Sequence, residues 1–348
     1  MGKIYHSIEE LVGNTPLLDL KNYTEENNLK ARILGKIEYY NPNQSIKDRT
    51  ALSMIEQAEK DGSLKPGYTI IEATSGNTGI GLAAFAAVKG YDCHIYVQDN
   101  VSVERFEVMK AFGAKVSAMG DIPEVAEALE KNNNDFVAGY AAFYEKYLES
   151  KGKTFCVNQD GNPANPKIHQ ETTAKEIWED TDGKVDIVVA AVGTGGTVTG
   201  LGRFLKAKNP EIKIVAVQPG KNSIPSKSNP HPKEIAGVHP FEGIPDKFVP
   251  ANLEKDMYDE YMEVETEDAY KEARHVARTE GILVGASSGA ILSAAKILAG
   301  RKENHGKNIV AILPDTGLRY LSTGMFEASI ICEEQEYEKN YYRKDCLK

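Results

Sequence analysis

The stretch Ile187-Val188-Val189-Ala190-Ala191-Val192-Gly193-Thr194-Gly195-Gly196-Thr197 decides the fold. Six apolar residues are too few for a core helix and read as a strand buried on both faces. The glycines end that strand, and the chain then opens into a helix through Leu205. The same succession occurs upstream. Residues 68–73 read as a strand, Thr74-Ser75-Gly76-Asn77-Thr78-Gly79 as a donor-rich loop, and residues 78–89 as an alanine-rich helix. Loops that leave the carboxyl ends of strands and enter helices are where open α/β sheets hold ligands.

Working outward, residues 31–37, 93–97, 115–118, 155–158, 212–217 and 308–313 read as further strands. Residues 46–60, 104–112 and 168–178 read as helices between them. This alternation predicts an α/β protein with open, mostly parallel twisted sheets flanked by helices, and 348 residues suffice for two domains. Hydrophobic residues at 41% and charged residues at 26% exclude a disordered or fibrous chain. A net charge of −10 argues against nucleic acid or an anionic membrane as partner. Cys93, Cys156, Cys332 and Cys346 form no C-x-x-C pair and no zinc spacing, so free thiols and no metal are expected. The first twenty residues lack a signal-peptide core and no segment is apolar enough to span a bilayer, which predicts a cytoplasmic protein.

Lys47 stands in Asn41-Pro42-Asn43-Gln44-Ser45-Ile46-Lys47-Asp48-Arg49. With Ser45 as N-cap and Asp48 as capping-box acid, Lys47 falls in the first helical turn. The positive end of the helix dipole there favours the neutral, nucleophilic amine. Gly193 to Thr197, with the hydroxyls of Thr194 and Thr197, suits a phosphate at a helix N-terminus. It is neither a Walker loop nor a dinucleotide fingerprint, because no Gly-Lys-Ser/Thr follows and Val198 stands where the third glycine belongs. A nucleophilic lysine with a phosphate nest describes a site for an aldehyde cofactor carrying a phosphate, pyridoxal 5'-phosphate. Thr74, Ser75, Gly76, Asn77 and Thr78, together with Gln159, suit an amino-acid carboxylate, and Asn77 is also in reach of the ring oxygen of such a cofactor. A neutral hydroxyl facing the pyridine nitrogen would leave the ring a weak electron sink, fitted to chemistry at the β-carbon. Thr316, in Leu313-Pro314-Asp315-Thr316-Gly317, is the candidate, with Asp315 as its rival.

These motifs, in this order, resemble the cysteine synthase and cystathionine β-synthase family of fold-type II pyridoxal phosphate enzymes. The resemblance runs from Leu11-Val12-Gly13-Asn14-Thr15-Pro16-Leu17 to Leu321-Ser322-Thr323. It includes Asn162-Pro163-Ala164-Asn165, Glu176-Ile177-Trp178-Glu179-Asp180 and Gly285-Ala286-Ser287-Ser288-Gly289-Ala290. It implies a Schiff base on Lys47, Asn77 at the ring oxygen, phosphate on Gly193, Thr194, Gly195, Gly196 and Thr197, and Thr316 at the pyridine nitrogen. It also implies a homodimer acting on a small amino acid. Residues 1–40 and 155–326 would form the larger cofactor-binding domain, and residues 41–154 a smaller mobile one that closes over substrate. Residues 327–348 would form a charged, Tyr-rich tail, with no haem-binding extension or regulatory module.

The implied reaction is replacement at the β-carbon of a β-substituted alanine through an aminoacrylate, most readily O-acetylserine and sulfide giving cysteine and acetate. The alternative consumes cysteine and releases hydrogen sulfide. From another class, the chain would be a catalytically silent binding subunit. Three departures from the family pattern bear on the substrate: the amides Asn43-Gln44 before Ser45, a long span between Lys115 and Gln159, and the loop Gly237-Val238-His239-Pro240-Phe241-Glu242-Gly243-Ile244-Pro245. In that loop His239 and Glu242 are candidates to take a proton from water or a thiol.

Overall fold

The computed structural model describes residues 4–74, 76–98, 101–131, 136–148, 152–226, 229 and 232–326. The tail from 327 onward, and with it Cys332 and Cys346, lies outside the described residues, as does Ser75. Among the described residues, ten strands form two sheets: β1 (Leu17–Asp19), β2 (Arg32–Ile37), β3 (Thr69–Thr74), β4 (Asp92–Val97), β5 (Lys115–Ala118), β6 (Thr154–Cys156), β7 (Ile187–Ala191), β8 (Lys213–Pro219), β9 (Glu260–Val264) and β10 (Asn308–Leu313). The larger sheet runs β1-β2-β10-β7-β8-β9 and the smaller β5-β4-β3-β6. Every pairing is parallel except β1 with β2. The centre of the large sheet is apolar throughout, with Ile309 beside Ile187 and Val189 beside Val215. This is the composition of strands covered by helices on both faces.

The helices are α1 (Lys21–Glu26), α2 (Lys47–Asp61), α3 (Asn77–Lys89), α4 (Val103–Ala111), α5 (Pro123–Lys131), α6 (Phe136–Leu148), α7 (Ala164–Ile168), α8 (Ala174–Asp180), α9 (Gly196–Lys208), α10 (Thr266–Glu280) and α11 (Ala286–Ala299). One apolar core surrounds the large sheet, and two further clusters lie about the small one. Helix α3 packs against α2 through glycine: a Cβ on Gly81 would stand 2.9 Å from Ala51 Cβ.

Several expectations change. β1 and β9 are absent from the sequence reading; β1 has three residues, and Glu260 and Glu263 make β9 look like surface loop. β6 pairs with β3, so it belongs to the smaller sheet instead of opening the larger domain. The single helix read over 168–178 is α7 and α8 joined by a π-helical turn, His169–Thr173. The long span after β5 folds into α5 and α6, with Phe143 of α6 against Tyr96 of β4 at 5.4 Å between ring centres.

The two domains are clasped away from the sheets. Ser102 Oγ donates to Arg319 O at 2.9 Å, and Glu104 accepts from Ser322 N at 2.9 Å and Ser322 Oγ at 2.8 Å. The Arg105 guanidinium lies 4.5 Å from the centre of the Tyr320 ring.

Candidate active site

A cavity of about 680 Å³ opens between the carboxyl ends of the two sheets. Lys47, Thr74, Asn77, Thr78 and Gln159 line it from the small-domain side. Gly193, Thr194, Gly195 and Thr197 line it from the large sheet. Both loops singled out in the sequence therefore face one space.

Lys47 opens α2, and its neighbours fix it. Ile46 N donates to Pro314 O at 2.8 Å, and Ser45 makes a β-bridge with Asp315. Arg49, two residues further in, is gripped by carboxylates from two other segments. Its Nε and Nη2 meet Glu38 at 2.8 and 2.9 Å, and its Nη1 and Nη2 meet Glu176 at 2.6 and 2.7 Å. Paired planar contacts of this kind set orientation as well as position. The expected capping box is not formed. Ile46 is helical and is itself the cap residue, so Ser45 Oγ accepts from Lys47 N at 3.2 Å, and Asp48 Oδ2 accepts from Asn43 N at 2.6 Å. The amine of Lys47 has no hydrogen-bond or ion-pair partner among the described residues. Burial pushes its pKa down, and the carboxylate of Asp160 draws it partly back. Desolvation in the cavity wall thus favours the neutral, nucleophilic form of this amine.

The glycine loop is shaped by what surrounds it. At Gly195 the backbone takes φ +80°, and a Cβ there would stand 2.6 Å from Leu253 Cβ. At Gly193 a Cβ would meet Gly237 O at 2.6 Å. Asn165 Nδ2 donates to Thr194 Oγ1 at 2.9 Å, and Thr197 Oγ1 lies 3.3 Å from His169 Nε2. Burial, then Arg49 and Lys47, hold the His169 pKa well below its usual value, so this imidazole is neutral. The N–H groups of Thr194, Gly195 and Thr197 have no acceptor among the described residues. Free amides and two hydroxyls at the start of α9 are a donor set for a phosphate, and with Lys47 across the cavity they fit pyridoxal phosphate. Gly196 opens α9 and does not itself line the cavity.

On the small-domain side Thr78 Oγ1 donates to Gln159 Oε1 at 2.6 Å, and Gly76 N donates to Thr74 Oγ1 at 3.2 Å. Gly76 turns the chain at φ +142° against Arg105 and stays outside the lining. Asn77 lines the cavity, but both ends of its amide are held by protein. Its Nδ2 donates to Asp315 Oδ2 at 2.7 Å, and Arg319 Nη1 donates to its Oδ1 at 2.6 Å.

Besides Gly76 and Gly196, three sequence candidates fall outside the lining. Thr316 is buried outside the cavity lining, where its Oγ1 accepts from Leu318 N at 3.3 Å and caps a short 3-10 helix. Ser287, at the start of α11, is a neutral hydroxyl residue that does line the cavity. Asp315, the rival, is fully buried and accepts from Asn77 and from Tyr320 OH, the latter at 2.8 Å. Glu242 turns away and accepts a short hydrogen bond from Tyr258 OH, while its N donates to Gln218 Oε1 at 2.9 Å. His239 lines the cavity as expected. Sequence reasoning missed Asp160, Tyr140 and Tyr144, which also line it. Ser287 lay within a quoted motif without a role, Asp160 sat beside Gln159, and the tyrosines belong to the span already noted as long.

Two unequal α/β domains, a lysine opening a helix in the cleft and a glycine nest opposite define the fold-type II class of pyridoxal phosphate enzyme. A family model described as "Pyridoxal-phosphate dependent enzyme" matches residues 8–315. Cysteine synthase of Staphylococcus aureus is 39% identical over 321 residues, 92% of this chain and 96% of that protein. The crystal structure of cysteine synthase from Entamoeba histolytica has 43% identity and a TM-score of 0.78, covering 94% of this chain and 92% of that one. A hydrogen sulfide-producing enzyme from Fusobacterium nucleatum has 37% identity and a TM-score of 0.78, covering 91% and 100%. The chain belongs to the pyridoxal-phosphate dependent enzyme family, as a β-replacement enzyme of its cysteine synthase branch.

Proposed function

We propose that this chain replaces the acetoxy group of O-acetylserine with sulfide, releasing cysteine and acetate. The observation that carries this reading is the meeting of an unpaired, half-buried Lys47 amine, a phosphate-type nest and a carboxylate-type donor loop around one cavity. Bound pyridoxal phosphate supplies an electron sink that labilises the bonds at the substrate's α- and β-carbons. The chain's own residues do the rest. Lys47 anchors the cofactor and, once released, carries the α-proton on and off Nζ. Thr194, Gly195 and Thr197 hold the phosphate. Thr74, Thr78 and Gln159, which line the cavity, would hold the substrate carboxylate. Ser287, a neutral hydroxyl in the cavity wall, would serve the ring nitrogen in place of Thr316 and leave the ring unprotonated, and Asn77, held by Asp315 and Arg319, would flank the ring. The same residues would serve release of sulfide from cysteine, with water or a second thiol taking its place at the β-carbon. By analogy with the family, the enzyme works as a homodimer whose smaller domain closes over substrate.

The test is direct. Borohydride reduction of the purified protein followed by peptide mapping should fix the cofactor on the peptide carrying Lys47. O-acetylserine with sulfide should yield cysteine, and Lys47→Ala should abolish turnover. An adduct on another lysine, or a protein inert to O-acetylserine with sulfide, overturns the reading.

A further inference from the structure

One wall of the cavity carries a pair of hydrogen-bond donors that serve neither the phosphate nor the substrate carboxylate. Tyr140 of α6 and Gln98, the residue after β4, both line it, and Gln98 Nε2 donates to Tyr140 OH at 3.3 Å. The phenol's own O–H and the second N–H of Gln98 have no acceptor among the described residues. Burial, then the charges of Asp160 and Glu72, push the Tyr140 pKa up, so the phenol keeps its proton.

The pair is firmly mounted. Tyr144, one turn beyond Tyr140 on the same face of α6, donates to Glu72 Oε1 of β3 at 2.6 Å. The two phenol rings stack with their centres 6.4 Å apart. Phe143 is fully buried against Tyr96 of β4, and the hydroxyls of Tyr96 and Tyr147 lie 3.1 Å apart. Helix α6 is thus fixed to both central strands of the small sheet, which sets Tyr140 in the cavity wall.

The sheet also sets the spacing between this pair and the substrate carboxylate. Thr74, where the carboxylate loop begins, pairs with Val97 of the adjacent parallel strand, and Gln98 follows Val97. Adjacent strands lie about 4.8 Å apart. In O-acetylserine the α-carboxylate carbon and the acetyl carbonyl carbon are joined through four single bonds, an extended reach of about 5 Å. A substrate that spans the two strand ends, with its carboxylate on the β3 loop, brings its acetyl group to the donor pair.

We propose that Tyr140 and Gln98 receive the acetoxy group as it departs from the substrate's β-carbon, and so select esters whose leaving group is a carboxylate. This rests on the O-acetylserine reading of the site. In the step, the Cβ–O bond breaks and its electron pair stays on the acetate, whose charge spreads over two oxygens. The α-proton goes to Lys47 Nζ, and Cα and Cβ become doubly bonded. The phenol O–H and the amide N–H meet the two acetate oxygens. Donors already aimed at charge that develops as a bond breaks hold the transition state better than the intact ester. A departing hydrosulfide offers one diffuse acceptor in place of two oxygens, so the same pair favours O-acetylserine over cysteine as the amino-acid substrate.

The experiment uses holoenzyme without sulfide. It follows one turnover of acetate release from O-acetylserine and of chloride release from 3-chloro-L-alanine, in wild type, Tyr140→Phe and Gln98→Leu. Chloride, a single atom, cannot span both donors. Removing one donor of this kind costs about 10²–10³-fold, so the acetate-to-chloride rate ratio should fall about a hundred-fold in Tyr140→Phe. In Gln98→Leu, which also frees the phenol to turn, it should fall by at least about tenfold. An unchanged ratio, including one in which both releases slow together, overturns the inference and leaves β-replacement intact. A wild type that releases no acetate overturns the O-acetylserine reading and this inference with it.

Discussion

At Gly195 the backbone runs at φ +80° with Leu253 Cβ and N only 2.6 and 2.7 Å from where a side chain would begin. Two costs would meet in Gly195→Ala: strain of the left-handed backbone, about 1–3 kcal/mol, and collision with a main chain that has nowhere to go. Gly67 has the same φ, +80°, but nothing within 4 Å. Gly67→Ala should thus lower stability by about 1 kcal/mol without loosening the cofactor. Gly195→Ala should release cofactor at least tenfold faster on dialysis, followed by absorbance. Equal retention in the two variants would separate the loop's shape from phosphate binding. At this scale the sequence was partly legible. Lys47 and the glycines announce themselves by type and order. Thr316 and Ser287 do not, because both are hydroxyls beside glycine, and only the direction in which α11 starts decides between them. Glu242 was misread because its partner, Tyr258, is sixteen residues away, and no local pattern joins them.

Among the elements, α2 depends most on its anchors. Arg49 and Glu38 are almost wholly buried, and Thr15 Oγ1 donates to Glu38 Oε1 at 2.6 Å within the same network. Removing one partner of a buried pair strands the other charge, at about 3–5 kcal/mol. Arg49→Met should lower stability by that amount in denaturant titration and misalign Lys47, so cofactor incorporation falls as well. Loss of stability with full incorporation would mean that α2 is positioned by something else. The strands were legible where the apolar pattern is strong, as in β7 and β10. The failures, β1 and β9, are edge strands, where length and hydrophobicity give the weakest signal.

For the whole molecule, pH dependence combines groups from both domains. Burial raises Glu72 to about 8 and Asp48 to about 7, with hydrogen bonds from Tyr144 and Asn43 opposing. Each stays protonated in the folded chain after the unfolded chain has ionised, so stability falls as pH rises from about 4.5 toward 8. Burial holds His169 and His94 below their usual value, His94 at about 4. That stability is present above about 6.5 and lost on acidification. Burial pushes Glu176 up, but Arg49 and Lys36 hold it down at about 2, a contribution lost as pH falls from about 4.5 to 2. The opposing slopes should leave a plateau between about pH 4.5 and 6.5, a decline toward 8 and collapse below 4. Thermal melts across pH check this. Glu72→Gln should flatten the decline between 6.5 and 8, and an unaltered slope would assign it to other groups. The two-domain frame was legible because glycine loops follow apolar strands; the placement of β6 was not, since three residues carry no mark of which sheet they join. Among the described residues, no helix is long and apolar enough to cross a membrane.

The π-turn at His169–Thr173 has a consequence for the evolution of this site. Each residue advances an α-helix by about 100°, so one residue accommodated in a wider turn rotates everything beyond it. Upstream Asn165, and at the first residue of the turn His169, address the nest; downstream, Glu176 addresses Arg49. A regular helix of the same length would have to choose between those two audiences. Deleting any one residue of the turn after His169 would swing Glu176 away from α2 while leaving Asn165 against the nest. The site can therefore drift in sequence on either side of this turn, but the count of residues within it is not free to change.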